Sequence, residues 1–454
     1  MSITQRCTQC AARGTIRRWR AAILLAAGGA LATSGRIAAQ QPTADRLRLA
    51  DLYAQVERAN PRIAAANALA TAARARVPGT RRPPDPQLQL GLMNYTLPGL
   101  APMPTLGMNQ LLLMQMLPLG GKLQSAGRVA DAQASASGER ARDVAWETRR
   151  AAAMTFYDLY AVDGQLDVAR ETLRLLQDVE RTAQSMYRVG AGRQADVLRA
   201  QVELARMAED TLRMQAMRAT MAARLNALLD RGAELGVGRP ALPRFPDELP
   251  LRATLDSLAS ADRPMIRAGA DEVRAAAASE RLARREIWPD LQVGVQYAQR
   301  RDEMGTERMG SLMLGASIPM FARDRQLRMR EEAAAMTRMA QADLAAMRGE
   351  TRGKIGEAYA SLMRARSLAR LYRSTVLPQA EATVASALAA YRVGSVDFMT
   401  LLDDRMTVNR YRQELCTLAA DEGKAWAELE MLVGRTLFDP DRTSTPAVAT
   451  RGVQ

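Results

Sequence analysis

One short pattern returns along this chain at a nearly constant distance, and that duplication limits the possible folds more than any other feature. Asn60-Pro61-Arg62-Ile63 recurs as Arg263-Pro264-Met265-Ile266, and Gln87-Leu88-Gln89-Leu90-Gly91 as Asp290-Leu291-Gln292-Val293-Gly294, both 203 residues on. Leu117-Pro118-Leu119 pairs with Ile318-Pro319-Met320 at 201, and Tyr187-Arg188-Val189-Gly190 recurs unchanged as Tyr391-Arg392-Val393-Gly394 at 204. Four ordered matches at one spacing mark a chain built from two copies of one unit.

Each copy has the same grammar. A helix is expected over about 61–77 and about 264–286, opening on a proline suited to a first helical turn. Period-two alternation follows, Leu88, Leu90 and Leu92 in one copy and Leu291, Val293 and Val295 in the other, which predicts strands. After a turn-rich loop (Pro98 to Pro104; Arg300 to Arg308) a return strand runs to a proline, over about 107–117 and about 310–319. Sustained three-and-four spacing then predicts very long helices packed like a coiled coil. From Lys122 to Tyr187 that pattern is interrupted after its first turns only by Gly138 and Gly164; Pro378 predicts a break in the second copy. The expected organisation is a leader at 1–39, a first repeat at 40–231 (hairpin 86–117, helical tip near 187–196), a linker at 232–258, a second repeat at 259–438 (hairpin 290–319, tip near 391–397) and a disordered tail at 439–454.

Composition agrees with helices rather than one thick aromatic core, since aromatics make up only 4%. The leader is read from arginines before the apolar run Ala21 to Ala32, too short to span a bilayer, and from Ala38 and Ala39 at a small-residue cleavage site. That segment carries six arginines and no acid, so the formal charge of +14 falls to +8 without it, and the remaining charges are interleaved along helices. Nucleic-acid binding is not expected. Cys7 and Cys10 lie in the leader, and Cys416 alone remains, so no disulfide within the rest of the chain is expected. There is no histidine, no phosphate-binding glycine loop and no base partner for Cys416; neither an enzyme nor a cofactor is expected.

No segment after the leader offers the ~18 consecutive apolar residues of a transmembrane helix. Strands of about ten residues with alternating polarity suit a membrane β-barrel instead. Four strands cannot close a barrel, and open sheet edges are excluded from lipid, so a barrel here must be shared. Three copies would supply about twelve strands. The order of the repeats, the Asn60-Pro61 start, the segment Pro118 to Lys122 and the duplicated Tyr-Arg-Val-Gly resemble the TolC-type outer-membrane efflux factors over about residues 45–435, leaning toward the heavy-metal branch.

The resemblance implies a mixed fold: a twelve-stranded trimeric barrel, four strands from each chain, continued by a periplasmic α-helical tunnel. It implies an outer-membrane location, with a periplasmic adaptor and an inner-membrane pump as partners in tripartite efflux. It also gives roles to residues. Arg188, Val189, Gly190, Arg392, Val393 and Gly394 become adaptor-docking tips. Asp403 and Asp404 become an acidic ring at the periplasmic aperture, with Arg199 at the corresponding place in the first copy. Read locally, the same glycines simply end helices and the acids are solvated. The 25 methionines, among them Met93, Met103, Met108, Met114 and Met116 near the first hairpin and Met304, Met309 and Met313 near the second, invite a soft-metal reading, although lipid-facing or core use needs no metal. No metal ligand is assigned. The rival reading from another class is a periplasmic coiled-coil adaptor or scaffold, which should lack the two hairpins.

Overall fold

The computed structural model describes residues 46–439 except 97, 100, 104–106, 303 and 304. The expected leader and almost all of the expected tail lie outside the described residues. Each copy begins with a helix that the sequence reading did not separate. α1 (Leu49–Ala59) is followed by α2 (Pro61–Thr80), and in the second copy α5 (Arg252–Asp262) by α6 (Pro264–Arg285). The joint falls where a residue before proline is driven out of helical backbone: Asn60 sits at φ −71°, ψ 120° and Arg263 at φ −61°, ψ 120°. Asn60 is buried there, accepting from the Arg62 N–H at 2.9 Å and donating to the Leu228 carbonyl at 2.8 Å. The expected linker 232–258 therefore ends early, because Leu255 and Ala259 already form the buried stripe of α5.

Between these helices and the long ones lie the strands. In the first copy β1 (Gln87–Met93) and β4 (Met108–Pro118) pair, and their connection holds a small hairpin, β2 (Tyr95–Thr96) with β3 (Ala101–Pro102). In the second copy β5 (Asp290–Asp302) pairs with β6 (Gly305–Ala316). The second loop is far shorter than the expected Arg300 to Arg308. Strand pairing continues through Arg300↔Glu307 to Asp302↔Gly305, with the Arg300 guanidinium 3.1 Å from the Glu307 carboxylate. These strand ends carry charges instead of an apolar face, so alternation alone could not reveal them.

The long helices are α3 (Lys122–Arg188), α4 (Gln194–Leu228), α7 (Gln326–Leu371), α8 (Leu377–Arg392) and α9 (Phe398–Val433). α3 has 67 residues and so runs about 100 Å at about 1.5 Å per residue. Its second-copy counterpart is broken ahead of Pro378 by a π-helical turn, Tyr372–Val376. Proline lacks the N–H that would close the ladder, and the wider turn absorbs the mismatch.

The core gathers where both copies meet. Leu49, Leu52 and Val56 of α1 pack with Phe156 and Tyr157 of α3, Leu225 of α4, Leu255 of α5, Ile355 and Leu362 of α7 and Trp426 and Leu429 of α9. Each such fully buried side chain contributes about 1.5–3 kcal/mol relative to exposure. A second, smaller cluster, including Leu176, Met207, Phe398 and Leu402, holds the helices together toward the Tyr-Arg-Val-Gly turns.

Candidate channel wall and helical tips

The four long strands form one antiparallel sheet in the order β1-β4-β5-β6, so the two copies are joined through β4 and β5. β1 and β6 are left with one unpaired edge each among the described residues. The register is continuous, with no bulge, and therefore fixes which residues share a face. One face carries Leu88, Leu90 and Leu92 of β1, Leu111 and Leu113 of β4, Val293 and Val295 of β5, and Leu312 and Leu314 of β6. Many of these are strongly exposed, Leu90 at 73%, Leu312 at 69% and Leu314 at 70%. Leaving such side chains open on both sheet edges' worth of surface is costly in water and suits a lipid environment.

The opposite face carries Gln87 and Gln89 of β1, Gln110 of β4, Gln292 and Gln296 of β5 and Ser311 of β6. Gln296 donates to the Gln110 side-chain oxygen at 2.8 Å, and Gln110 lies across Gly91, which leaves no room for a Cβ there. Mostly apolar on one side, with Asn109 and Gln115 among the leucines, and amide-rich on the other, with Leu112 among the glutamines, the sheet has the dyad pattern of a membrane barrel wall. All six methionines of the long strands, Met93, Met108, Met114, Met116, Met309 and Met313, lie on the amide face and none on the leucine face. They therefore do not share a face with the exposed leucines. Sequence reading grouped them by hairpin, but only the parity of the register assigns the face. None of the described helices is long and apolar enough to cross a membrane.

The sheet is clamped to the helices where β4 turns into α3. Gly120 and Gly121 both take φ near +70°, the backbone of a sharp turn that side chains disfavour. Beyond it Lys122 is buried and donates to Asp290 at 2.8 Å, with Glu286 at 3.4 Å; Arg285 donates to the Gly120 carbonyl at 2.6 Å. A cation of the first copy is thus held by two acids of the second. Nothing in the sequence pairs these positions, which lie 164 and 168 residues apart.

At the C-terminal ends of α3 and α8 the two Tyr-Arg-Val-Gly turns are built alike. Gly190 and Gly394 have φ +74° and +72°, each N–H returning to a helix carbonyl, of Tyr187 and of Tyr391, at 3.1 Å. A Cβ at either glycine would meet nothing within 4 Å, so the backbone angle alone demands glycine. Val189 and Val393 are 74% and 79% exposed, and Arg188 and Arg392 are exposed beside them. Asp397 caps α9, accepting from the Thr400 N–H at 3.0 Å and its hydroxyl at 2.7 Å. The Thr400 hydroxyl chiefly holds this carboxyl below the usual carboxylate range, aided by the Thr400 N–H and by the charges of Arg193 and Arg199.

That field places Arg199 near Asp397. It is not paired with the acids expected beside it: neither Asp403, which is exposed, nor Asp404, which is half-buried, forms a hydrogen bond or ion pair with Arg199 among the described residues. The sequence also gave no hint of Arg412, whose guanidinium ties α9 to Glu171 of α3 at 3.0 Å and Glu381 of α8 at 2.7 Å. These residues line a cavity of about 220 Å³ with half-buried Arg405. Burial, reinforced by the charge of Arg412, pushes the Arg405 pKa down.

The chain resembles known proteins at two levels. The profile of a family described as outer membrane efflux protein matches residues 52–231 and again 255–435, once in each copy. Among solved structures, the chain is similar to the transmembrane channel protein CusC (18% identity, TM-score 0.74, covering 86% of this chain and 92% of that one). It is also similar to the outer membrane protein VceC of Vibrio cholerae (16% identity, TM-score 0.72, covering 85% and 96%) and to the open state of the MtrE outer membrane channel of Neisseria gonorrhoeae (16% identity, TM-score 0.72, covering 86% and 89%). No curated sequence matches the chain.

Proposed function

The chain belongs to the outer membrane efflux protein family, and from that premise we propose that three copies close one barrel through their free β1 and β6 edges and that the helical tips dock a periplasmic adaptor. The chain is a subunit of an outer-membrane efflux channel, a passive conduit of a tripartite system whose energy comes from elsewhere. The observation that carries the shared barrel is the sheet itself: four strands, two unpaired edges, one leucine face and one amide face. Open edges are not tolerated in lipid, and four strands cannot close alone. An adaptor or scaffold outside the membrane has no use for such a face.

The exposed Arg188-Val189 and Arg392-Val393 pairs would be the adaptor contacts, presented on glycine turns that fix their direction. Asp403, exposed on α9 two turns beyond the tip, would form an acidic ring when repeated three-fold, focusing the field at the periplasmic aperture. Arg199, close to Asp397, would temper that field from the first copy. Reconstitution of the purified protein in planar bilayers tests the reading. Ohmic, cation-preferring conductance is expected, with Asp403→Asn lowering the preference. A protein that never inserts would overturn the channel, and an unchanged preference in Asp403→Asn would remove Asp403 from the aperture.

A further inference from the structure

The leucine face of the sheet changes character at the end farthest from the helices. Along β6 its positions run Leu314, Leu312, Gly310 and then Arg308. Register sets Gln299 of β5 directly opposite Arg308, and Asn109 of β4 directly opposite Gln299, so one whole row across three strands is polar. The row before it still carries Leu111 and Tyr297, the latter 47% exposed. An aromatic ring closing an apolar band marks the boundary between membrane and water.

Strand geometry gives the depth of that row. Ile318, 77% exposed beside the start of the helical part, lies ten residues from Arg308. Ten residues make about 34 Å of strand. At about 40° of tilt they rise about 25 Å, the height of the apolar band of a membrane barrel. Arg308 therefore stands at the headgroup level of the leaflet away from the helices, where a lipid-side charge costs far less than at the midplane.

What the row offers is donors. Arg308 is exposed, and neither it nor Gln299 forms a side-chain hydrogen bond or ion pair among the described residues. The Tyr95 hydroxyl donates to the Asn109 side-chain oxygen, which leaves the Asn109 amide nitrogen as a further donor. Glu307, the neighbouring acid, belongs to the opposite face and is held there by Arg300 at 3.1 Å. The Arg308 guanidinium thus has no such counter-charge on its own face among the described residues. A planar guanidinium beside amide donors suits the oxygens of a phosphate group, two of which it can engage at once.

We propose that Arg308, with Gln299 and Asn109, forms a site on the outer rim of the barrel for the headgroup of a lipid bearing an anionic phosphate, one site per chain. The proposal rests on the channel reading, because only an inserted barrel brings this row to the level of lipid headgroups. Such a contact fixes the depth of the barrel in the leaflet away from the helices, while Leu312 and Tyr297 lie along the acyl chains.

The test uses the full-length trimer in detergent, stripped of lipid and offered an equimolar mixture of dioleoylphosphatidic acid and dioleoylphosphatidylcholine. Native mass spectrometry counts the lipid that stays bound. Phosphatidic acid is expected to be retained about tenfold over phosphatidylcholine, up to one molecule per chain. Arg308→Gln should assemble and conduct as before but bring the two lipids to parity. Arg300→Gln removes the same charge from the opposite face at nearly the same height and should keep the preference. Excess inorganic phosphate should not displace the lipid, whose acyl chains add apolar contact. A wild-type trimer without the preference overturns the site and leaves the channel standing. So does a preference that persists in Arg308→Gln, falls equally in Arg300→Gln, or yields to inorganic phosphate. Wild-type protein that neither assembles nor conducts overturns the channel reading on which the site rests.

Discussion

At the scale of single residues, Gly190 and Gly394 show how a local requirement and a proposed partner contact can occupy one position. Their φ values above +70° make any side chain strained by about 1–2 kcal/mol, yet the space around them is empty. Gly190→Val with Gly394→Val should therefore deform only the tips. Export, read as the drug and metal susceptibility of a deletion strain carrying the variant, should be lost while the oligomer persists; export that survives would remove the docking role. These glycines were legible because a positive-φ helix end has a residue signature. Glu430 was not, since nothing local marks a glutamate that will be buried. Its carboxyl accepts from the Leu437 N–H at 2.8 Å, and burial raises its pKa above the usual 4.5. The folded state therefore holds the proton more tightly than the unfolded chain. The stability this contributes is present below about pH 4.5 and is lost as pH rises through the raised value. Glu430→Gln keeps the acceptor and removes the titration. Its melting temperature should gain on wild type as pH rises across that window, and a constant difference would count against the assignment.

At the scale of elements, the long helices and all four long strands were expected from the sequence, the return strand of the first copy from a less regular pattern than the rest, and the proline in the first turn of α8 announced its break. α1 and α5 were hidden for a physical reason. Each spans only 11 residues, and its proline-marked partner helix drew attention to the second start. Their apolar stripes are short but bury completely, which makes them the lid of the central core. The Lys122 clamp was equally invisible, because it pairs positions from different copies. Lys122→Met removes a buried cation shared by Asp290 and Glu286 and should cost about 2 kcal/mol, loosening the sheet from α3. Lowered heat resistance of the assembled protein, measured on gels with and without boiling, checks this; unaltered resistance would reduce the clamp to a surface contact.

At the scale of the whole molecule, the duplication acquires its meaning from the sheet. Two hairpins side by side give four strands with a lipid face and a lumen face, and the free edges at β1 and β6 demand further copies. Face assignment yields a sharp contrast between neighbours. Leu312→Arg puts a charge on the lipid side at a cost of about 2–4 kcal/mol near the bilayer midplane and should prevent outer-membrane assembly. Ser311→Arg points inward and should assemble while altering conductance; equal tolerance of both would show that the faces are misassigned. The claim beneath all of this is that one chain holds a third of a barrel. Native mass spectrometry of the detergent-extracted outer-membrane protein weighs that claim directly. The account predicts a complex of three chains, and a stable monomer or dimer in the same extract would contradict it.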